Sequence, residues 1–146
     1  MAFSSHSPSP HFVFRGARLV FALLLTSFCG SAAAEWVLLG GNQAIYSAYA
    51  DSASVKRTGE RAQMLGLYDF LMADVSVDGQ PHRSTVVLRE YDCAHSRVRL
   101  LAFVDYADRM GAGNVVSKPA ERPPGRWEPV VPGAVDEAFF KVACAL

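Results

Sequence analysis

The chain has 146 residues, 51% of them hydrophobic, and its 14 basic residues balance its 14 acidic ones. This balance argues against nucleic-acid binding, because proteins that bind nucleic acids carry a basic excess or a basic stripe. It does not argue against proteins or small molecules as ligands.

The first predicted element is a secretory signal peptide that covers residues 1–34. Two arginines precede an apolar run at residues 19–28, and three alanines follow at residues 32–34. A positive region, an apolar region and a small-residue site, in this order, are typical of export signals. We therefore expect cleavage between Ala34 and Glu35 and a working protein outside the cytoplasm, in the periplasm or on the outer cell surface.

Two alternatives to cleavage are disfavoured by the sequence. A retained membrane anchor would need ~20 apolar residues to cross the bilayer as a helix, and this run has ten. Lipid attachment at Cys29 requires a small residue before the cysteine, where this chain has the bulky Phe28. Cleavage leaves residues 35–146, with 12 basic and 14 acidic residues, which is the size of a single domain.

Cys93 and Cys144 are the two cysteines that remain after cleavage. Two cysteines in an exported chain predict one disulfide, which would close a loop of 51 residues. The alternative is a pair of free thiols that bind a metal. No C-x-x-C pair and no clustered histidines accompany the cysteines in the sequence, so we predict no metal and no cofactor.

Most of the remaining chain is predicted to form β-strands, because β-branched and aromatic residues recur between short turn signals. The predicted strands are Trp36–Gly40, Ala44–Tyr49, Val55–Arg57, Arg61–Phe70, Arg83–Cys93, Val98–Tyr106 and Val115–Val116. Residues 51–54 are small and polar and predict a loop or bend. Asp78-Gly79 predicts a tight hairpin turn, and residues 94–96 are short enough to join two antiparallel strands.

The strand at residues 98–106 has an apolar face and a mixed face. If the strand is regular, its apolar face consists of Val98, Leu100, Ala102 and Val104. We expect this face to lie in the core. Arg97 and Arg99 share the mixed face, and Glu90 and Asp92 share a face of the preceding strand. We interpret these four residues as cross-strand ion pairs and not as catalytic acids and bases.

Residues 134–143 form the one predicted helix, with Asp136 and Glu137 in the first turn, where they complement the helix dipole. Its apolar stripe consists of Val135, Phe139, Val142 and Leu146, which recur at helical spacing. Cys144 lies off this stripe. Either the helix ends before Cys144, or a disulfide acts on the opposite face of the helix.

A catalytic interpretation would depend on His95. This histidine could act with Ser84 or Ser96 and with Asp92 in a hydrolase triad. The sequence around the serines does not resemble a nucleophile elbow, so turn and surface positions are the simpler interpretation. Residues 111–113 indicate a turn and not a phosphate-binding loop. We therefore predict no catalytic residues and no enzymatic activity.

A series of short motifs in this order resembles the surface-adhesin protein E family of Gram-negative bacteria over nearly all of residues 35–146. The motifs are Trp36, Tyr49-Ala50-Asp51, Val55–Gly59, Leu67–Phe70, Ser84, Glu90–Cys93, Tyr106, Met110–Gly113, Trp127, Pro132-Gly133 and Cys144. The order and spacing of the motifs carry the resemblance more than any one of them does.

The resemblance implies an α+β, mostly β fold: an antiparallel sheet of about six strands with one C-terminal helix packed on it and tied by a disulfide. It also implies exposure at the bacterial surface and binding of host extracellular-matrix or serum proteins, namely laminin, vitronectin and plasminogen. Members of this family can be homodimers. The chain lacks the good lipid-attachment site of a lipoprotein adhesin, and without an anchor we expect the mature protein to remain in the periplasm or to be released.

Lys118, Arg122 and Arg126 are the candidate partner-binding residues, because the loop from 118 to 126 is long, polar and rich in proline. A plain connector is the alternative for this loop. The alternative function is a periplasmic protein that binds a small ligand or inhibits an envelope hydrolase. A compact apolar pocket would favour ligand binding, whereas an exposed aromatic or basic patch would favour a protein partner.

Overall fold

Successive strands of this chain pair with one another to form an antiparallel meander. The computed structural model describes residues 34–42, 44–118 and 123–145. The strands are β1 (Trp36–Gly40), β2 (Tyr46–Thr58), β3 (Arg61–Val75), β4 (Pro81–Asp92), β5 (Arg97–Tyr106), β6 (Val115–Ser117) and β7 (Glu128–Pro129), and the α-helix is α1 (Val135–Cys144). A short 3-10 turn, Arg109–Gly111, lies between β5 and β6.

The sheet has the order β1-β2-β3-β4-β5-β6, and β7 also pairs with β5. β6 pairs with β5 at Asp105 and Tyr106, whereas β7 pairs with the start of β5 at Arg97 and Val98. The predicted fold class, an antiparallel sheet of about six strands with one C-terminal helix, is confirmed. Within the described ranges, no helix is long and apolar enough to cross a membrane.

The loop predicted at residues 51–54 is instead a bulge within one continuous strand. The pairing of β2 with β3 changes register between Asp51 and Lys56. The Asp51 carboxylate accepts hydrogen bonds from the N–H groups of Ala53 (3.1 Å) and Ser54 (3.2 Å). The Ser54 hydroxyl in turn accepts the N–H of Leu65 on β3 at 2.9 Å. Side-chain bonds therefore replace the missing ladder bonds and keep β2 attached to β3.

The apolar face predicted for β5 is not a core face. Leu88 of β4 pairs with Ala102, and Arg89 pairs with Leu100, so Leu101 is an extra residue in β5. An extra residue exchanges the two faces of a strand beyond it. Val98, before the extra residue, is in the core as predicted, whereas Ala102, beyond it, is exposed. Leu100 also precedes the extra residue and is 38% exposed, which the exchange of faces does not explain. The prediction was wrong because it assumed strict alternation along the whole strand.

The core lies between the sheet and α1. Four residues of the helix are buried: Phe139, Phe140, Ala143 and Cys144. They pack on small and apolar side chains of the sheet, among them Ala48, Ala50, Ala62, Met64 and Tyr91. Gly66 makes room for the helix, because a Cβ atom at this position would lie 2.8 Å from Cε1 of Phe139. The predicted stripe is confirmed for Phe139, and Val135 and Val142 flank it half-buried; Leu146 lies outside the described residues.

The predicted disulfide between Cys93 and Cys144 is present, with the two Cα atoms 5.7 Å apart. It joins the turn after β4 to the last residue of α1. The helix thus neither ends before Cys144 nor presents it away from the sheet. The buried face is broader than the predicted stripe and includes Phe140 and Cys144, so the disulfide lies within the core.

Arg89 connects α1 to the sheet from inside the protein. Its guanidinium carbon lies 5.3 Å from the centre of the Tyr68 ring and 5.5 Å from the centre of the Phe139 ring. Its Nη1 donates a 2.7 Å hydrogen bond to Oδ1 of Asp136, in the first turn of the helix. The arginine side chain is only 19% exposed. Arg89 is therefore a buried cation that is stacked and hydrogen-bonded. Burial also raises the pKa of the Tyr91 hydroxyl on the same strand.

Candidate protein-docking surface

The face of the sheet opposite α1, called the open face below, carries a polar band at one end. Cross-strand pairing places two rows of side chains there. One row is Lys56, Gln63, Glu90 and Arg99, and the next is Thr58, Arg61, Asp92 and Arg97. The band thus spans four strands, β2 to β5, and β7 continues it, because Pro129 pairs with Arg97.

Three guanidinium groups of this band surround the indole ring of Trp127. Their carbons lie 5.5 Å (Arg61), 5.5 Å (Arg97) and 4.5 Å (Arg99) from the ring centre. These distances are within the range in which a cation is attracted to the face of an aromatic ring. Trp127 directly precedes β7, so pairing of β7 with β5 positions the ring over the arginines. We call these four residues the arginine–tryptophan cluster.

The ion pairs predicted across β4 and β5 are confirmed. Nε of Arg99 donates a 2.6 Å hydrogen bond to Oε2 of Glu90, and Nη2 of Arg97 donates a 2.6 Å bond to Oδ2 of Asp92. Arg61 differs from these two arginines, because no carboxylate among the described residues lies within ion-pair distance of it. The cluster therefore holds one more cation than it has neutralising carboxylates, and its arginines are held in fixed positions.

His95 belongs to the edge of this band. Its Nδ1 lies 2.9 Å from Oδ1 of Asp92, and the imidazole is 64% exposed. Hydrogen bonds from Arg97 and then from His95 hold the pKa of the Asp92 carboxyl well below its usual range. Asp92 is only 5% exposed, so the carboxylate anchors the turn between β4 and β5 and orients the side chains of Arg97 and His95.

Asp92 and His95 are in contact, but Ser84 lies in a different part of the open face, so the triad that would include Ser84 does not assemble. The Ser84 hydroxyl donates to the backbone oxygen of Asp108 at 2.6 Å and accepts the N–H of Gly111 at 2.9 Å. The neighbouring Asp69, also buried, accepts bonds from Nε (3.0 Å) and Nη2 (2.6 Å) of Arg109. Ser84 and Asp69 thus hold the segment at residues 108–111 against the sheet.

Two of the three predicted partner-binding residues are in the described ranges. Arg126 is exposed and immediately precedes Trp127, and Gly125 donates its N–H to the backbone oxygen of Leu100 on β5 at 2.8 Å. Arg126 therefore lies next to the arginine–tryptophan cluster. Lys118 is exposed but follows β6, which pairs with the other end of β5. Arg122 lies outside the described residues.

A groove adjoins the cluster on the helix side of β5. It has a volume of about 390 Å³, and its lining is mostly charged, with Arg89, Arg99, Arg126, Glu128 and Asp136 among the residues. Small-molecule sites are usually enclosed and mainly apolar. The groove is open and charged, and its position extends the polar band around the edge of the sheet.

The sequence analysis did not identify Arg61 and Trp127 as parts of one surface. The spacing of Arg97 and Arg99 did indicate that two arginines of the cluster share one face of a strand. The contribution of Trp127 depends on the pairing of β7 with β5, across some thirty positions of sequence. The short strand β7 has only two residues, which is too few to be recognised from residue pattern.

Comparisons with known proteins agree with this fold. The model of the family described as surface-adhesin protein E matches residues 36–145. The structure of Haemophilus influenzae protein E superimposes with a TM-score of 0.61 at 15% identity, covering 77% of this chain and 86% of the other. A crystal structure of protein E from non-typeable Haemophilus influenzae gives a TM-score of 0.59 at 15% identity, covering 80% of this chain and 79% of the other.

At these identities the structural likeness establishes the fold alone. No protein of curated function matches the chain by sequence at a significant level. The family match is independent of the structural likeness and spans nearly the whole described part of the chain, including the two cysteines and Trp127. The chain belongs to the surface-adhesin protein E family.

Proposed function

We propose that this chain is an exported adhesin, displayed at the cell surface, that binds host extracellular-matrix or serum proteins. Membership of the surface-adhesin family supports adhesion as the activity. Laminin, vitronectin and plasminogen are the partners to test first. The proposal includes export directed by residues 1–34, which are then removed by cleavage between Ala34 and Glu35. N-terminal sequencing of protein from the envelope fraction tests this cleavage.

The arginine–tryptophan cluster is the observation that carries this proposal. Tryptophan and arginine are the residues that most often dominate the energetics of protein interfaces. Here Trp127 is half-buried, and the side chains of Arg97 and Arg99 are 43% and 22% exposed. Ion pairs already order these arginines, so a partner loses little side-chain entropy when it docks on them.

The charge of this surface defines the partner segment that fits it. Arg61, Arg97 and Arg99 face Glu90 and Asp92, which leaves one cation in excess, and the exposed Arg126 and Glu128 on either side of Trp127 balance each other. An acidic segment with an apolar or aromatic side chain complements this arrangement. Lys118 and Arg122 extend the basic character along the loop from 118 to 126 and are included in the proposed contact.

Surface plasmon resonance tests the proposal. The exported form of the protein is passed over immobilised laminin, vitronectin and plasminogen, with wild type compared with Trp127→Ala and Arg126→Glu. We expect each variant to lower affinity by about tenfold, the effect of losing one interface residue worth ~1.4 kcal/mol. Lys141→Glu is the matched control, because Lys141 is an exposed cation of α1, on the other side of the sheet.

Two results would count against the proposal. One is the absence of binding to all three host proteins at micromolar concentration. The other is complete resistance of the protein to protease added to intact cells, which would place it inside the envelope. Either outcome would promote a periplasmic role in which the chain binds a small ligand or inhibits an envelope hydrolase.

A further inference from the structure

A second exposed surface lies at the far end of β3 from the arginine–tryptophan cluster. Five large apolar side chains there are between 49% and 76% exposed: Ile45, Leu71, Met72, Val75 and Val77. We call this set the apolar tip. Single exposed apolar residues are common on protein surfaces, but a group of them at one place usually marks an interaction site.

The backbone of β3 is unpaired along one edge at the apolar tip. The last bond on that edge runs from the N–H of Leu71 to the backbone oxygen of Ile45, at 2.9 Å. The chain then turns away, because the N–H groups of Ile45 and Tyr46 both bond to the oxygen of Asn42. β3 continues to Val75, so no strand among the described residues pairs with this edge at residues 72–75.

The exposed edge is protected only in part, because the pairing of β3 with β4 shifts register between Asp69 and Asp74 and the edge carries one charged side chain. Proteins commonly protect such edges with lysine, with proline or with a covering loop. The segment from residue 71 to residue 77 contains neither lysine nor proline. A shallow cleft of about 170 Å³ runs along it, lined by Ala44, Ile45, Phe70, Met72, Ala73 and Asp74. The N–H of Val75 already donates to Oδ1 of Asp74 at 2.8 Å, so the edge offers the remaining backbone hydrogen-bonding groups of residues 72–75 and an apolar contact surface.

Two carboxylates and one guanidinium group lie beside the cleft, so its net charge is negative. Asp74 lies in the open segment and Asp78 in the turn that follows, and both are exposed. No lysine or arginine among the described residues forms an ion pair with either carboxylate. The nearest arginine, Arg83, donates instead to the backbone oxygen of Leu71 at 2.9 Å. Charge complementarity therefore favours a basic occupant over an acidic one.

We propose that the open edge of β3 at residues 72–75 binds an extended segment of a partner protein by strand addition. In this mode main-chain hydrogen bonds supply affinity and side-chain contacts supply selectivity. The segment that fits has alternating apolar side chains, which contact Ala73 and Val75 on one face of β3, and lysine or arginine residues, which face Asp74 on the other. This surface is separate from the arginine–tryptophan cluster and has the opposite charge preference, so the two can hold different partners.

A nine-residue peptide that alternates valine with lysine is the probe. Fluorescence anisotropy measures its binding to the whole exported protein. A second peptide of the same sequence carries N-methyl groups on alternate amides and cannot donate the ladder bonds. We expect the N-methylated peptide to bind at least about tenfold more weakly, and Asp74→Lys to weaken the parent peptide by a similar factor. Glu128→Lys is the matched control, because Glu128 is an exposed carboxylate beside the cluster.

Hydrogen exchange gives an independent readout, because strand addition slows exchange at the amides of residues 72–75 that face the open edge and not at those that face β4. Equal binding of the two peptides would overturn the proposal without reference to any variant. Two other results would also overturn it: wild type binds phosphatidylglycerol vesicles and Met72→Glu does not, or wild type forms a dimer in the ultracentrifuge and Met72→Glu does not. Those results would assign the tip to a lipid surface or to a second copy of the chain.

Discussion

Arginine stacks on aromatic rings on both faces of this sheet, with different surroundings and different consequences. On the helix side, Arg89 lies between Tyr68, Phe139 and Asp136 and is 19% exposed. On the open face, Arg61, Arg97 and Arg99 surround Trp127 at the surface. The buried contact holds the helix to the sheet, whereas the exposed contacts order a surface.

The comparison shows that the environment, and not the residue pair, decides what such a contact does. A cation–aromatic contact is worth about 0.5–1 kcal/mol when exposed and about 2 kcal/mol or more when water is excluded. The contact of Arg89 is therefore expected to contribute more to stability than the contacts around Trp127. The exposed arginines can change with little effect on folding, which suits a surface that is used for binding.

The largest expected loss follows removal of the disulfide that closes the helix side. We expect the double variant Cys93→Ser, Cys144→Ser to lose about 2–5 kcal/mol of unfolding free energy, the usual result in small exported domains. α1 has ten residues and is too short to be stable by itself. Urea unfolding followed by circular dichroism measures the loss. Wild type treated with a reductant is the control and should match the variant; an unchanged midpoint would show that packing alone holds the helix.

The next effect in size concerns the buried arginine. Arg89→Met removes the stacking on Tyr68 and Phe139 and the bond to Asp136, and we expect a loss of about 2–3 kcal/mol. Arg83→Met, an exposed arginine of the same strand, is the control and should change stability by less than about 0.5 kcal/mol. Equal effects of the two substitutions would contradict the assignment of Arg89 as the link between helix and sheet.

The Asp92 carboxylate, which orients Arg97 and His95, makes the stability of the protein depend on pH. Hydrogen bonds from Arg97 and His95 lower the folded-state pKa of Asp92. Its stabilising effect is therefore present above the unfolded-state pKa of about 3.9 and is lost as the pH falls toward the lower folded-state value. We expect Asp92→Asn to be less stable than wild type at pH 6, with the difference shrinking below about pH 4. Urea midpoints of both proteins at a series of pH values check this; a constant difference would exclude the linkage.

The same comparison explains what could be predicted from the sequence. Local patterns predicted the strands, the hairpin turn at Asp78-Gly79, the C-terminal helix and the disulfide. The ion pairs of Arg97 and Arg99 followed from simple alternation on adjacent strands, and the structure contains both. These features depend on residues that are close in sequence, or on a family pattern that links distant ones.

Features that depend on irregular backbone were not predictable. One extra residue, Leu101, exchanged the faces of β5, and side-chain bonds of Asp51 kept β2 continuous through a polar stretch. The cluster was missed because Trp127 reaches Arg61 only through the pairing of β7 with β5. No periodicity of residue type records such a contact.

The smallest expected effect on stability, and the sharpest test of the comparison, is Arg61→Gln. Arg61 is exposed, and its guanidinium carbon lies 5.5 Å from the centre of the Trp127 ring. We expect the substitution to lower the unfolding free energy by about 0.5–1 kcal/mol. Because Arg61 is the cation of the cluster without a carboxylate partner in the described chain, the same substitution should weaken binding to an acidic partner more than it weakens folding. Urea unfolding and plasmon resonance on one protein sample separate the two effects.

Arg61→Lys keeps the charge and should restore much of the binding. If Arg61→Gln instead destabilises the fold as much as Arg89→Met, the open face is structural, and the division between the two faces does not hold.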